Sequence, residues 1–163
     1  MNISEIIVKM INYANGNLHD INHFLKVYAY AKTIGECEQL DSSTQAVLEV
    51  SAVIHDIAIP LCREKYGNTN GKHQEAESPV LVKKFLAGTG YSTKFIERVA
   101  FLVGHHHTYE GIDGIDYQIL IEADYLVNAD QSSYSEVNIR NMMERVFKTE
   151  TGTSLLKSIY KLN

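Results

Sequence analysis

Apolar residues recur at helical spacing along nearly the whole chain. Ile3, Ile6, Ile7, Met10, Ile11 and Ala14 follow i, i+3, i+4 steps, which predicts a first helix that the NGN at 15–17 stops. A second is predicted from Leu18 to Gly35, with Ile21, Leu25, Tyr28 and Ala29 on one side. The DSS at 41–43 offers N-caps for a third, which carries Val47, Val50, Ile54 and Ile57 and ends before Pro60. Residues 61–72 read as a short helical turn and a loop. Ser78-Pro79 reads as an N-cap followed by proline at the first helical position, in a helix closed by the GTG at 88–90. Ser92 caps the next, with Tyr91 and Ile96 placed as a hydrophobic staple, and it runs to the triplet His105–His107. After a loop at 108–116, helices are predicted over 116–129, over 135–148, and around Leu155, Leu156, Ile159 and Tyr160. No alternating strand pattern, internal repeat or linker interrupts this. The expectation is one all-α domain over 1–163, a bundle of about seven helices.

Composition narrows the function classes. At 163 residues and 45% hydrophobic the chain can bury a full core. The net charge is −5 and no Lys/Arg run exists, which argues against binding nucleic acid through a basic surface. Cys37 and Cys62 form no CxxC pair, which suits a reducing cytoplasm. The N-terminal stretch is amphipathic without a long apolar secretory core, and no apolar run is expected to approach the ~20 residues of a bilayer span. The expected location is cytoplasmic, without membrane attachment, and oligomerisation is left open.

The chemistry lies in polar residues set among apolar ones. "AVIHDIAIP" at 52–60 carries His55 and Asp56 inside a run that otherwise looks like core. A buried carboxylate costs several kcal/mol unless it is paired or bound to a cation. Asp124, in "IEADYLVN", poses the same problem. Histidines fall in His23, His55, His73 and the triplet, so five successive segments each contribute a candidate. Imidazole and carboxylate together suit a divalent transition metal. A lone histidine is more often a hydrogen-bonded or surface residue, and His19 beside Asp20 reads as an exposed helix start. Side chains turn by about 100° per helical residue, so at most two of the triplet share a face. His105 and His106 continue the face of Leu102 and Val103, leaving His107 behind the site or in solvent.

The order His23, His55-Asp56, His73, His105-His106, Asp124 resembles the HD-domain superfamily of metal-dependent phosphohydrolases. "HFLKVYAYAKTIG" is similar to that family's first-histidine helix and "SAVIHDIAIP" to the end of its HD helix. The resemblance implies a helical bundle with a central metal site. His23, His55, Asp56 and Asp124 would hold a first divalent ion, and His73 with one or both of His105 and His106 a second, with Asp56 bridging them. The ions would be iron or manganese, with zinc or magnesium as alternatives. Asp56 and His55 would be catalytic, and a metal-bound hydroxide would attack phosphorus. Departures are visible: Ala58, Ile59 and Pro60 follow the HD pair where many two-metal relatives carry glycine and lysine. No GYP tripeptide follows the triplet. Glu75 or Glu77 is an alternative to His73.

The leading expectation is hydrolysis of a small phosphate ester or nucleotide, with Arg63, Lys72, Tyr109 and Lys148 as candidate phosphate contacts. One alternative is a binuclear-iron oxygenase similar to myo-inositol oxygenase, which would use six ligands including His73 and one of the triplet. The other is a non-enzymatic metal- or ligand-sensing domain.

Overall fold

A computed structural model describes residues 1–162, and helices are the only regular elements among them. They are α1 Ile3–Tyr13, α2 Leu18–Cys37, α3 Ser42–Ile54, α4 Ile59–Tyr66, α5 Gly71–Leu86, α6 Thr93–Val103, α7 Ile115–Gln131, α8 Glu136–Arg145 and α9 Glu150–Ile159. Polar caps set most of the starts. Asn2 and Glu5 form a reciprocal capping box on α1, and Asn17, Asp41, Ser92, Ser135 and Thr149 each accept a backbone N–H of the helix that follows.

The all-α bundle is as expected, but nine helices are present among the described residues rather than about seven, and three boundaries differ. The third helix stops at Ile54, not just before Pro60; His55 is its C-cap, and residues 55–58 turn sharply. Pro60 instead sits in the first turn of α4, where its missing N–H has no intrahelical partner to lose. The fifth helix begins at Gly71, capped by Asn70, so Ser78-Pro79 lies inside it. Proline there removes an internal hydrogen bond, and the Ser78 hydroxyl donates to Gln74 O at 2.6 Å on the same turn. The sixth helix stops at Val103, leaving the histidine triplet in a turn. At Ser92, the ring that packs back from Tyr91 lies on Phe95, stacked at 4.2 Å.

Helix α7 is the centre of the bundle: every residue from Asp116 to Val127 is buried. α2 and α3 pack along it and along each other, α6 lies on α3, and α5 pairs with α6. That pairing is close at Gly104, where a Cβ would lie 3.0 Å from Ala100 O and 3.1 Å from Pro79 Cγ. The stretch Ser42–Tyr66 has the length and apolarity of a membrane span. Here it is broken at residues 55–58 and mostly buried against the other helices.

Two of the buried acids of α7, Glu122 and Asp124, have different tasks. Glu122 accepts the backbone N–H groups of Lys148 at 2.7 Å and Thr149 at 3.0 Å, the Gln118 amide at 2.7 Å, and the Thr149 hydroxyl. It ties the start of α9 to the core. Asp124, two residues on, faces elsewhere.

Candidate metal centre

Four elements deliver polar groups to one point. α2 supplies His23, the turn after α3 supplies His55 and Asp56, the turn after α6 supplies His106, and α7 supplies Asp124. His23 Nε2 lies 3.0 Å from His55 Nε2, 3.2 Å from Asp56 Oδ2 and 3.2 Å from Asp124 Oδ1. His55 Nε2 lies 3.3 Å from Asp56 Oδ2 and 3.4 Å from Asp124 Oδ1. The other oxygen of Asp56 faces His106 Nε2 at 3.5 Å. His55 is 0% exposed and Asp124 5%.

The opposite edge of each ring is occupied. Nδ1–H donates to Ala52 O in His55 (2.8 Å) and to Val103 O in His106 (2.8 Å), and to Gln131 Oε1 in His23 (2.7 Å). These acceptors put the proton on Nδ1 and leave each Nε2 as a lone pair directed at the cluster. Three imidazole lone pairs and two carboxylates thus converge with no proton donor of their own among them, and His106 Nε2 is buried without a hydrogen-bond partner. Positive charge must fill the gap. Protons can do so: burial pulls the His23 and His55 imidazoles down, but Asp124 and Asp56 outweigh it and hold both above the ordinary histidine value. Burial likewise opposes ionisation of Asp56 and Asp124, and the facing histidines override it, holding both well below the usual carboxylate range. A divalent cation can take the place of those protons, and the pattern of ligand atom inward and N–H tied outward is the arrangement metal-binding histidines adopt. His23, His55 and Asp124 form one group with ligand atoms within 4.8 Å of one another, and His55, Asp56 and His106 another.

α7 contributes more than Asp124. Asn128, one turn on, donates its amide to Asp124 Oδ1 at 2.9 Å. Gln131, two turns on, is the acceptor for His23. The i, i+4, i+7 spacing puts all three on one face.

Two histidines assigned to the metals from sequence are not brought to this point. His73 lies in the first turn of α5, stacked on Tyr66 at 3.9 Å with Nδ1 3.2 Å from Asn68 Oδ1. The residue of that turn that faces the cluster is Gln74. Glu77, offered as an alternative, accepts Lys65 and the Tyr66 hydroxyl at the surface, and Glu75 accepts the Thr108 hydroxyl at 2.8 Å. His105 stacks on Phe101 at 4.1 Å and donates Nδ1–H to Phe101 O at 2.7 Å. The helical-face argument for the pair fails because the triplet is in a turn. Tyr117 pins that turn, its hydroxyl 2.9 Å from His105 O and 2.6 Å from Thr108 O. His106 goes inward and His107 follows it to the wall of the cleft. Burial, then His106, pushes the His107 imidazole down to about 4. Gly71 makes room for this ring, since a Cβ there would meet His107 Cγ at 3.0 Å.

A cleft of about 220 Å³ opens onto the cluster between α2, α4, α5 and the end of α7. Arg63 is on its rim, held by Asp20 through two hydrogen bonds of 2.7 and 2.9 Å. The other candidate phosphate contacts lie elsewhere. Lys72 and Lys148 are exposed and outside the lining of the cleft. Tyr109 lines a neighbouring groove of about 330 Å³ with Tyr125, Tyr134 and Arg145. Gln74, Asn128 and Gln131 were not singled out from sequence, and His107, expected behind the site or in solvent, lies on the cleft wall; for Asn128 and Gln131, the row Asp124, Asn128, Gln131 was the available signal.

The HD-domain family profile matches residues 20–135, which takes in His23, the HD pair, the triplet and Asp124. The crystal structure of a protein described as a predicted HD superfamily hydrolase, from an uncultured Thermotogales bacterium, superposes with a TM-score of 0.70 at 22% identity. The match covers 97% of this chain and 84% of that one, and it shows a shared fold. No protein of curated function matches. With the profile spanning most of the chain and its motif residues meeting at one buried point, the chain belongs to the HD-domain family.

Proposed function

We propose that this protein is a phosphohydrolase that cleaves a small phosphate ester with one divalent ion held by His23, His55, Asp56 and Asp124, with His106 beside it. The observation that carries this reading is the convergence of three Nε2 lone pairs and two carboxylates at the floor of an open cleft. An imidazole-rich set favours iron, manganese or zinc over magnesium. With His73 and His105 directed elsewhere, His106 and His107 are the histidines left beside the cluster, both with a buried Nε2 that has no partner among the described residues, and one ion accounts for the ligands that converge on His23 and His55. The same absence weighs against the oxygenase alternative, whose six ligands include His73.

When bound, the ion supplies a Lewis acid that polarises the phosphoryl group and acidifies water. The protein supplies the rest. Asp56 orients the attacking water through its second oxygen, and His106 Nε2 beside that oxygen accepts the water's proton. Water oxygen bonds to phosphorus as the ester P–O bond breaks, and the departing alkoxide takes up a proton, the one His106 received or one from solvent, to leave as the alcohol. Arg63 holds the phosphate at the rim. Cys37 and Cys62 are both free, which fits a cytoplasmic setting.

The test is release of inorganic phosphate from p-nitrophenyl phosphate by protein reconstituted with manganese, iron or zinc. Turnover that is lost with chelator and in Asp56→Asn supports the reading. No turnover with any of the three metals overturns it.

A further inference from the structure

The cleft walls carry a pattern that bears on what the substrate is. Resting on the phosphohydrolase reading, we infer that the substrate is a small polyhydroxylated monophosphate, of the polyol- or sugar-phosphate kind, rather than a nucleotide or a polyphosphate.

The first observation is the chemistry of the lining. Thr69, Gln74, Asn128, Gln131 and Ser132 present hydroxyls and amides, and no phenylalanine or tyrosine ring that could stack on a nucleobase lines the cleft among the described residues. Several of their hydrogen-bonding groups are uncommitted. Asn128 uses its amide N–H₂ on Asp124 and leaves its oxygen; Gln131 uses its oxygen on His23 and leaves its N–H₂. The hydroxyls of Thr69 and Ser132 have no partner among the described residues. Gln74 is the most informative. It is 3% exposed, and its N–H₂ donates to Thr69 O at 2.8 Å, which fixes Oε1 as an acceptor, and Oε1 has no donor. A buried acceptor without a donor is costly, and a ligand that brings an O–H removes the cost. A mixed row of free donors and acceptors is matched by hydroxyl groups, each of which both donates and accepts.

The second observation is charge. Arg63 is the lining's one guanidinium or ammonium group, and Asp20 already neutralises it with a two-point contact. Apart from a bound ion and Arg63, which together meet one phosphate, the lining has no cation to balance the added charges of a di- or triphosphate. The third is size. At about 220 Å³ the cleft lies below the ~300–1,000 Å³ typical of sites for larger organic ligands. The aromatic groove that would suit a nucleobase, lined by Tyr109, Tyr125 and Tyr134, shares no lining residue with the cleft.

The test compares kcat/KM of the metal-reconstituted protein for glycerol phosphate and hexose monophosphates, for nucleoside 5′-monophosphates, and for nucleoside triphosphates and pyrophosphate. p-Nitrophenyl phosphate serves as the general reporter. The expected result is at least a ten-fold preference for the polyol and sugar monophosphates. Gln74→Leu is expected to lower kcat/KM for them about ten-fold more than for p-nitrophenyl phosphate. Ser132→Ala, at the exposed C-cap of α7, tests the same wall without threatening the fold, and a several-fold rise in KM for the same substrates is expected. Nucleotides or polyphosphates hydrolysed equally well or better overturn the inference and leave the phosphohydrolase reading standing. No phosphate released from any ester, the reporter included, overturns both.

Discussion

Replacing Gln131 with alanine removes the oxygen that holds His23 Nδ1–H at 2.7 Å. Gln131 is only partly buried at the end of α7, so no internal cavity opens. The effect on folding of the metal-free protein should stay within the ~0.5–1.5 kcal/mol of one net hydrogen bond. The effect on metal binding should be larger. Without its acceptor the His23 ring turns more freely, and its proton is no longer fixed on Nδ1, so the lone pair on Nε2 is available only part of the time. Losing such an outer hydrogen bond costs about 10–100-fold in metal affinity, or about 1.4–2.7 kcal/mol. The assay is competition for Mn²⁺ or Zn²⁺ between the protein and a chelating dye, beside urea unfolding of the same metal-free samples. Gln131→Glu keeps an oxygen in place and adds charge, and should bind at least as tightly as the wild type. Unchanged affinity in Gln131→Ala would refute the reasoning, because it would mean that His23 does not depend on this contact to present Nε2. A matching loss in folding stability would assign the residue to the fold instead.

His23→Ala should weaken metal binding measurably in the same titration, whereas His73→Ala should leave it unchanged, since His73 stacks on Tyr66 away from the cluster; equal effects would contradict the placement of the two rings. Glu122→Leu strips the acceptor from the Lys148 and Thr149 N–H groups and should destabilise the fold by about 2–4 kcal/mol in urea unfolding, with metal stoichiometry intact in the folded fraction. The pH dependence of stability should invert with metal. In the metal-free protein His23 and His55 are held above the ordinary value of 6.5, so the stability they confer is full below about 6.5 and is lost as pH rises through their raised values. In the loaded protein the ion replaces those protons, and stability should rise with pH over the same range. Calorimetry from pH 5 to 9 with and without metal checks this, and parallel curves would contradict it.

Much of the site was legible because burial and polarity conflict. His55, Asp56 and Asp124 stand where packing prefers aliphatic residues, and the structure brings all three to one point with His23. What failed were arguments that assumed the wrong local backbone. Ser78-Pro79 has the composition of a helix start, but Asn70 caps the helix two turns earlier, and Ser78 and Pro79 are accommodated inside it. That shift places Gln74, not His73, toward the cleft. The triplet was judged by helical rotation, yet α6 ends at Val103 and a turn pinned by Tyr117 selects His106 and His107 in place of His105 and His106. Glu122 and Asp124 are indistinguishable by burial or sequence context. Only the tertiary partners, backbone N–H groups for one and imidazoles for the other, separate a structural acid from a ligand.

Metal content of the untagged protein, purified without chelators and after reconstitution, tests the central claim most directly. Elemental mass spectrometry should find one iron, manganese or zinc ion per chain, lost in Asp124→Asn protein that remains folded. A chain that stays folded and takes up no ion under any condition would contradict the account, and two tightly held ions per chain would contradict its single-ion centre.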